Sequence, residues 1–394
     1  MTAVVTIVCA NLKGNLGDYA ILEIMGRSFA QHFPGAEIGY FYHANKPVDR
    51  ERYAQFLKEL EIAMTDLGPA PFFRRPAWFR LLTKLPGTRG LSTRIHNALI
   101  GRTADRISRN PAFAERLKSS RLVAFAGGAQ WGKANLNLNM FAQLKCAARL
   151  SERVIAFPFG ISRVALDCNG ASRLGEMLSQ LGEPILVRDV ISHRLLRQAG
   201  VPAQHVSDCV FTAGDLFREL REPQRRPGKT VYVSVTRSGE TTARGIVELF
   251  DRLRASGLHP VMFSSCELED RPLIDAVLAL SEETVVAPTS WKSAVRLFAD
   301  AAFVVTNRLH CLIFSALAGA AVVPVANRQK AQAYAEDAGL TYAPVEIADI
   351  TENGIRDFLG TLDDVRDKQL RFLTTSAETT QAAIDQVCTQ SPSV

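Results

Sequence analysis

Short apolar runs alternate along this chain with longer stretches in which apolar positions recur every three or four residues. The short runs predict buried strands and the longer stretches predict helices. Strands are expected at Val4–Val8, Ile38–Tyr42, Arg121–Ala126, Arg153–Phe157 and Ile185–Val187, with helices over Asp18–Phe33, Leu138–Leu150 and Ile191–Gln198. The same alternation restarts with strands at Thr230–Val235, Pro260–Phe263, Thr284–Ala287, Phe303–Thr306 and Ala321–Val325. Its helices are Thr242–Ala255, Asp270–Leu280 and an apolar one from Cys311 that ends in a glycine cap at Gly319. Strands alternating with helices imply parallel sheets. Between the two runs, Gly214–Lys229 is rich in Arg, Glu and Pro and reads as a linker. The expected fold is therefore α/β, with two Rossmann-like domains facing a cleft. The first is residues 1–215, the linker 216–229, the second domain 230–360, and 361–394 a C-terminal helix and tail that can cross back over the junction.

Length supports this division, because 394 residues exceed one ordinary hydrophobic core. No apolar run reaches the ~20 residues that span a bilayer. The opening Met1–Ala10 lacks a basic leader and reads as a first strand, not a signal peptide. The seven cysteines are scattered, odd in number and without a C-x-x-C pair, so a reducing cytoplasm is expected, with no disulfide framework and no zinc site. A net charge of +6 permits an anionic partner. No basic tail or nucleic-acid motif accompanies it, so nucleic acid is not expected. Pro71–Arg89 mixes aromatics with five Arg and Lys and has no acid. It reads either as a peripheral contact with an anionic membrane surface or as a helix whose aromatics pack on the first domain.

The candidate chemistry lies where strands end. Arg308 and His310 stand between a buried strand and the helix that follows, where open α/β sheets bind ligands. Helix amino ends already favour anions. The loop after the first strand holds Asn15, Gly17 and Asp18; it reads as a ligand-cradling turn or as a plain turn with Asp18 capping the helix. Gly127 and Gly128 carry the same pair of readings. Arg188 is either a cleft-facing cation or a salt-bridged residue beside a capping Asp189. Arg237 and Lys330 follow strands as cleft cations or as surface charges. Neither histidine spacing nor an acidic cluster suggests a metal. Several cations with one acid/base group fit a small ligand carrying both phosphate and carboxylate.

These blocks together resemble the polysaccharide pyruvyl transferase family. The resemblance rests on Asn11-x-x-Gly14-Asn15-x-Gly17-Asp18, Gly127-Gly128, Val187-Arg188-Asp189-x-x-Ser192 and Ser207-Asp208-x-x-Phe211. Its strongest part is Thr306-Asn307-Arg308-Leu309-His310 with the apolar helix to Gly319, followed by Lys330. It implies a GT-B-like pair of domains and transfer of the enolpyruvyl group of phosphoenolpyruvate onto two sugar hydroxyls, forming a pyruvate ketal and releasing phosphate. It further implies His310 and Arg308 as catalytic residues, and Arg188, Arg308 and Lys330 as holders of the donor; Arg237 is added to these holders by its place at a strand's carboxyl end. Asn15, Gly17, Asp18, Gly127 and Gly128 fall to the acceptor or its loops. No cofactor is implied beyond phosphoenolpyruvate as co-substrate. The acceptor would be a cell-surface or exopolysaccharide glycan, lipid-linked if the enzyme works at the inner face of the cytoplasmic membrane. The chain departs from the family pattern at Asn307, where Gly is common, and at Pro324, which is displaced from the end of the apolar helix. The alternative is a GT-B glycosyltransferase using a nucleotide-sugar donor.

Overall fold

The computed structural model describes residues 3–43, 48–73, 89–127, 138–163, 171–221, 228–236, 243–344 and 346–390. The first half contains β1 (Val4–Ala10), α1 (Leu16–His32), β2 (Glu37–His43), α2 (Arg50–Glu59), β3 (Thr65–Ala70), α3 (Arg89–Ile107) and α4 (Pro111–Ser119). It continues with β4 (Leu122–Phe125), α5 (Leu138–Leu150), β5 (Val154–Ala156), α6 (Ala171–Leu178), β6 (Leu186–Val187), α7 (Val190–Gln198) and β7 (Gln204–His205). A 3₁₀ segment, Cys209–Arg221, leads to the second half. There follow β8 (Thr230–Ser234), α8 (Ala243–Ala255), β9 (His259–Phe263), α9 (Glu267–Leu278), β10 (Val285–Val286), α10 (Trp291–Ala299) and β11 (Ala301–Thr306). Then come α11 (Leu309–Ala318), β12 (Ala321–Pro324), α12 (Gln329–Asp337), α13 (Glu352–Leu359) and α14 (Leu362–Thr389).

Two sheets of five strands form among the described residues, in the orders β3-β2-β1-β4-β5 and β10-β9-β8-β11-β12. Every pairing in them is parallel. Each order reverses beside its first strand, between β1 and β4 and between β8 and β11. Such switch points open a crevice at the strands' carboxyl ends. One apolar cluster is shared by the halves, joining α1, the 209–221 segment, α10, α11 and α14. Separate clusters fill the outer face of each sheet. The shared core is sealed by polar groups: the buried Glu23 carboxylate accepts from Trp291 Nε1 at 2.9 Å and pairs with Lys292 at 2.9 Å.

The last helix does cross over. Arg366, near its start, donates to Ala302 O at the second sheet. Near its end Arg153, just before β5, donates to Gln390 O at 2.5 Å and to Val387 O. Some elements were not anticipated. β3 is an edge strand whose Gly68 and Pro69 break the strand pattern, as edges allow. α2, half of whose residues are charged, buries only Arg52 and Phe56. The linker expected over 216–229 overlaps ordered structure up to Arg221, because Phe217 is only 1% exposed while Asp215, Arg218 and Glu219 face outward. The outward charges hid an amphipathic segment. Among the described residues no helix is long and apolar enough to cross a membrane.

Candidate functional site

The loop leaving β1 is held by the start of α2. Gly14 has φ +89°, and a Cβ there would lie 2.4 Å from Asp49 Oδ2, so both backbone and space demand glycine. Asp49 N donates to Leu12 O at 3.1 Å. The buried Arg52 guanidinium donates to Gly14 O and, across the cleft, to Ser265 O at 3.2 Å and Ser264 O at 3.4 Å. Leu16 N also donates to Ser265 O, at 3.0 Å. Main chain of one half is thereby stitched to main chain of the other. The capping residue of α1 is Asn15, whose side chain accepts from Gly17 N at 3.1 Å. The expectation that Asp18 caps is corrected: it lies in the first helical turn, where Asn11 Nδ2 donates to its Oδ2 at 2.5 Å.

Across the cleft, Arg308 is the N-cap of α11 and His310 lies in its first turn. Gly319 ends this helix at φ +70°, as expected of a glycine cap. The His310 ring packs against Gly17: a Cβ on that glycine would sit 1.8 Å from Nδ1. The other edge of the ring faces Asp208, with Nε2 3.7 Å from Oδ2, and that buried nitrogen has no hydrogen-bond partner. Asp208 is 2% exposed and accepts from Arg188 at 2.5 Å and from Val210 N at 3.2 Å. Burial alone would raise its carboxyl, but the charges of Arg188 and His310 overcome this and hold it well below the usual range. Asp189 caps α7 by accepting from Ser192 N at 2.7 Å. Arg188 is therefore salt-bridged beside a capping Asp, with its buried Nε left unpartnered. Asp18, opposite, has its carboxyl raised by burial despite the nearby His310, Lys13 and Lys330.

Lys330 enters the same cluster from α12. Helix α12 is seated on the first half by Gln329 Nε2 donating to Ile161 O at 2.9 Å and by Val190 N donating to Asp337 at 3.5 Å. Burial pushes the Lys330 amine down to about 7, with Arg188 acting in the same direction and Asp18, Asp189 and Asp208 opposing.

Arg308 is held differently. It pairs with Asp270 and, at 3.4 Å, with Glu269, and Glu269 pairs in turn with Lys13 of the first half. Asp270 is itself fixed by Cys266 N at 3.0 Å and Ser264 Oγ at 3.2 Å. Asn307, the departure from the family pattern, is 2% exposed and ties together the exits of β8, β11 and β12. Its amide accepts from Thr236 N at 2.9 Å and donates to Asn327 Oδ1 at 3.1 Å.

Gly17, Asp18, Arg188, His310 and Lys330 thus converge, with Arg308 two residues from His310. Asn15 serves as a cap. Gly127 lies where a Cβ would meet Pro158 O at 2.4 Å, a close approach of two strand exits. Gly128, Arg237 and most of residues 71–89 lie outside the described residues. Sequence reasoning gave no site role to Asp208, which it quoted only within the Ser207-Asp208-x-x-Phe211 block, nor to Asp270, Glu269, Lys13 or Arg52. Asp208 had a signal, as a lone carboxylate entering the apolar Cys209–Phe211 run. Arg52 had none, because it sits in a charged helix. Among the described residues no group of three or more His, Cys, Asp or Glu is placed to hold a metal ion. Cys146, Cys209, Cys266, Cys311 and Cys388 are buried and free.

Two parallel five-stranded sheets with their carboxyl ends turned to a common cleft define the GT-B class. Solved structures share this architecture at low identity. UDP-GlcNAc 2-epimerase from Neisseria meningitidis is 12% identical, with TM-score 0.55 and 98% of each chain covered. UGT2 from Phytolacca americana is 11% identical, with TM-score 0.55 and 98% of this chain and 99% of that one covered. HepE from Anabaena is 11% identical, with TM-score 0.56 and 98% of each chain covered. No curated protein matches the sequence. The model of the family described as polysaccharide pyruvyl transferase matches residues 15–329, and the chain belongs to that family. It is accordingly a transferase of polysaccharide biosynthesis.

Proposed function

We propose that the protein transfers the enolpyruvyl group of phosphoenolpyruvate to two hydroxyls of a sugar, giving a pyruvate ketal and phosphate. The observation that supports this most is the His310 imidazole, held between Gly17 and an Asp208 that pairs with Arg188. Protonation of the donor's methylene carbon makes C2 an oxocarbenium-like electrophile. His310 supplies that proton as imidazolium, and the neutral ring then takes the proton of the attacking hydroxyl. Asp208 faces the Nε2 edge of the ring, and Arg188 keeps Asp208 ionised. Arg308 and Lys330 hold the donor's carboxylate and phosphate and screen the charge that develops as phosphate leaves. By its position just after β8, Arg237 joins them. Asp18 accepts a hydrogen bond from the sugar diol. No resident metal or cofactor is assigned a step.

The acceptor is a glycan of a cell-surface polysaccharide or its lipid-linked repeat unit, and the enzyme works in the cytoplasm. Residues 71–89 touch anionic lipid in this reading, and liposome sedimentation with and without the segment tests that part separately. Calorimetry with phosphoenolpyruvate against a set of nucleotide sugars tests the donor. His310→Ala should still bind phosphoenolpyruvate while phosphate release falls by about 10²-fold or more. Near-normal turnover in that variant would remove His310 from the mechanism.

A further inference from the structure

Forming a ketal needs more proton transfers than one imidazole serves directly. Two hydroxyls each lose a proton, the methylene carbon gains one, and the departing phosphate gains one. The His310 ring is pinned between Gly17 on one edge and Asp208 on the other. A second group that exchanges protons beside the departing phosphate completes the count.

Resting on the reading above, we propose that Lys330 is this second proton-transfer residue: its ammonium protonates the departing phosphate, and the resulting amine takes the proton of the second hydroxyl. The bonds balance. His310 gives a proton to the methylene carbon, the first hydroxyl oxygen bonds to C2, and its proton returns to His310. The C2–O bond to phosphate breaks with its electron pair going to the phosphate oxygen, which takes a proton from Lys330. The second hydroxyl oxygen bonds to C2 and gives its proton to Lys330. Both residues end as they began, and no oxidant or reductant enters.

The placement supports the role. Lys330 is the second residue of α12, a helix of the second half whose start rests on the first half through Gln329. Among the described residues its amine has no hydrogen-bond or ion-pair partner. The charges that act on it come from elements of the first half: Asp18 of α1, Arg188 and Asp189 at the start of α7, and Asp208 after β7. On its own side Arg328 precedes it. The acids at the far end of α12 are engaged elsewhere, Glu336 with Arg194 and Asp337 with His205 at 3.7 Å, and His205 stacks on His193. Burial with Arg188 lowers the amine to about 7, so both of its forms are populated near neutrality. An arginine there would bind anions equally well but could not give up its proton.

The test compares the full-length enzyme with Lys330→Arg and Lys330→Ala. Phosphoenolpyruvate binding is measured by calorimetry at pH 7.5 in buffers of different ionisation enthalpy. A wild type that fails to bind phosphoenolpyruvate would defeat the proposed function itself, not only this extension. With binding established, the wild type should take up a measurable fraction of a proton at Lys330 as the anion raises its affinity for protons. Lys330→Arg should retain donor affinity and lose that uptake. Its turnover should fall by about 10²-fold or more, and methylamine should restore part of the activity of Lys330→Ala. Unchanged proton uptake in Lys330→Arg, or turnover close to wild type, would overturn the assignment to Lys330 while leaving donor binding intact.

Discussion

Among the described residues of the second half, Arg308 and Lys330 stand at the cleft, and they are held in opposite ways. Arg308 is clamped by Asp270 and Glu269, with Lys13 closing the network from the facing half. Lys330 has no such partner among the described residues and is surrounded at longer range by charges of both signs. A guanidinium cannot shed its proton, and pairing Arg308 with two carboxylates yields a charge fixed in place and direction. An ammonium left unpaired keeps its charge adjustable. The corner around Arg308 is therefore suited to orienting an anion. The corner around His310, Asp208 and Lys330 is suited to moving protons.

The largest expected effect comes from displacing His310 without touching it. Gly17→Ala places a methyl group where the imidazole now lies, so the ring must shift. Misplacement of a catalytic group by about 1 Å costs on the order of 10²-fold in rate. Turnover should fall by that much while donor affinity and the unfolding midpoint change little. A Gly17→Ala enzyme of near wild-type rate would break the division between the two corners. Asp270→Asn should act on the other corner, loosening Arg308 and raising the donor KM by about tenfold, the worth of one charge-assisted hydrogen bond, with kcat less affected. Glu269 is half exposed, so Glu269→Gln should cost less, within about 1 kcal/mol of binding and less still at high salt. If Asp270→Asn altered the pH profile of kcat and not the KM, the orienting role of the Arg308 corner would be wrong.

Much of the fold was legible because parallel sheets bury strands on both faces, leaving continuous apolar runs such as Ala301–Thr306. The carboxyl ends of those strands marked Gly17, Asp18, Arg188, Arg308, His310 and Lys330. What escaped is tertiary. That Asp208 meets both Arg188 and His310 depends on two short strands, β6 and β7, lying side by side. That Arg52 reaches carbonyl groups in the other half depends on how the halves dock. Neither leaves a local pattern. The edge strand β3 and the amphipathic 209–221 segment were hidden by Gly, Pro and surface charge, which read as turn or linker.

The most direct measurement follows phosphoenolpyruvate and a panel of diol-bearing glycans in D₂O, with phosphate and the product methyl group read by NMR. The account predicts one phosphate released for each ketal formed, and a ketal methyl carrying a single deuterium from solvent by way of His310. Consumption of a nucleotide sugar with release of nucleoside diphosphate, and none of phosphoenolpyruvate across the panel, would contradict it.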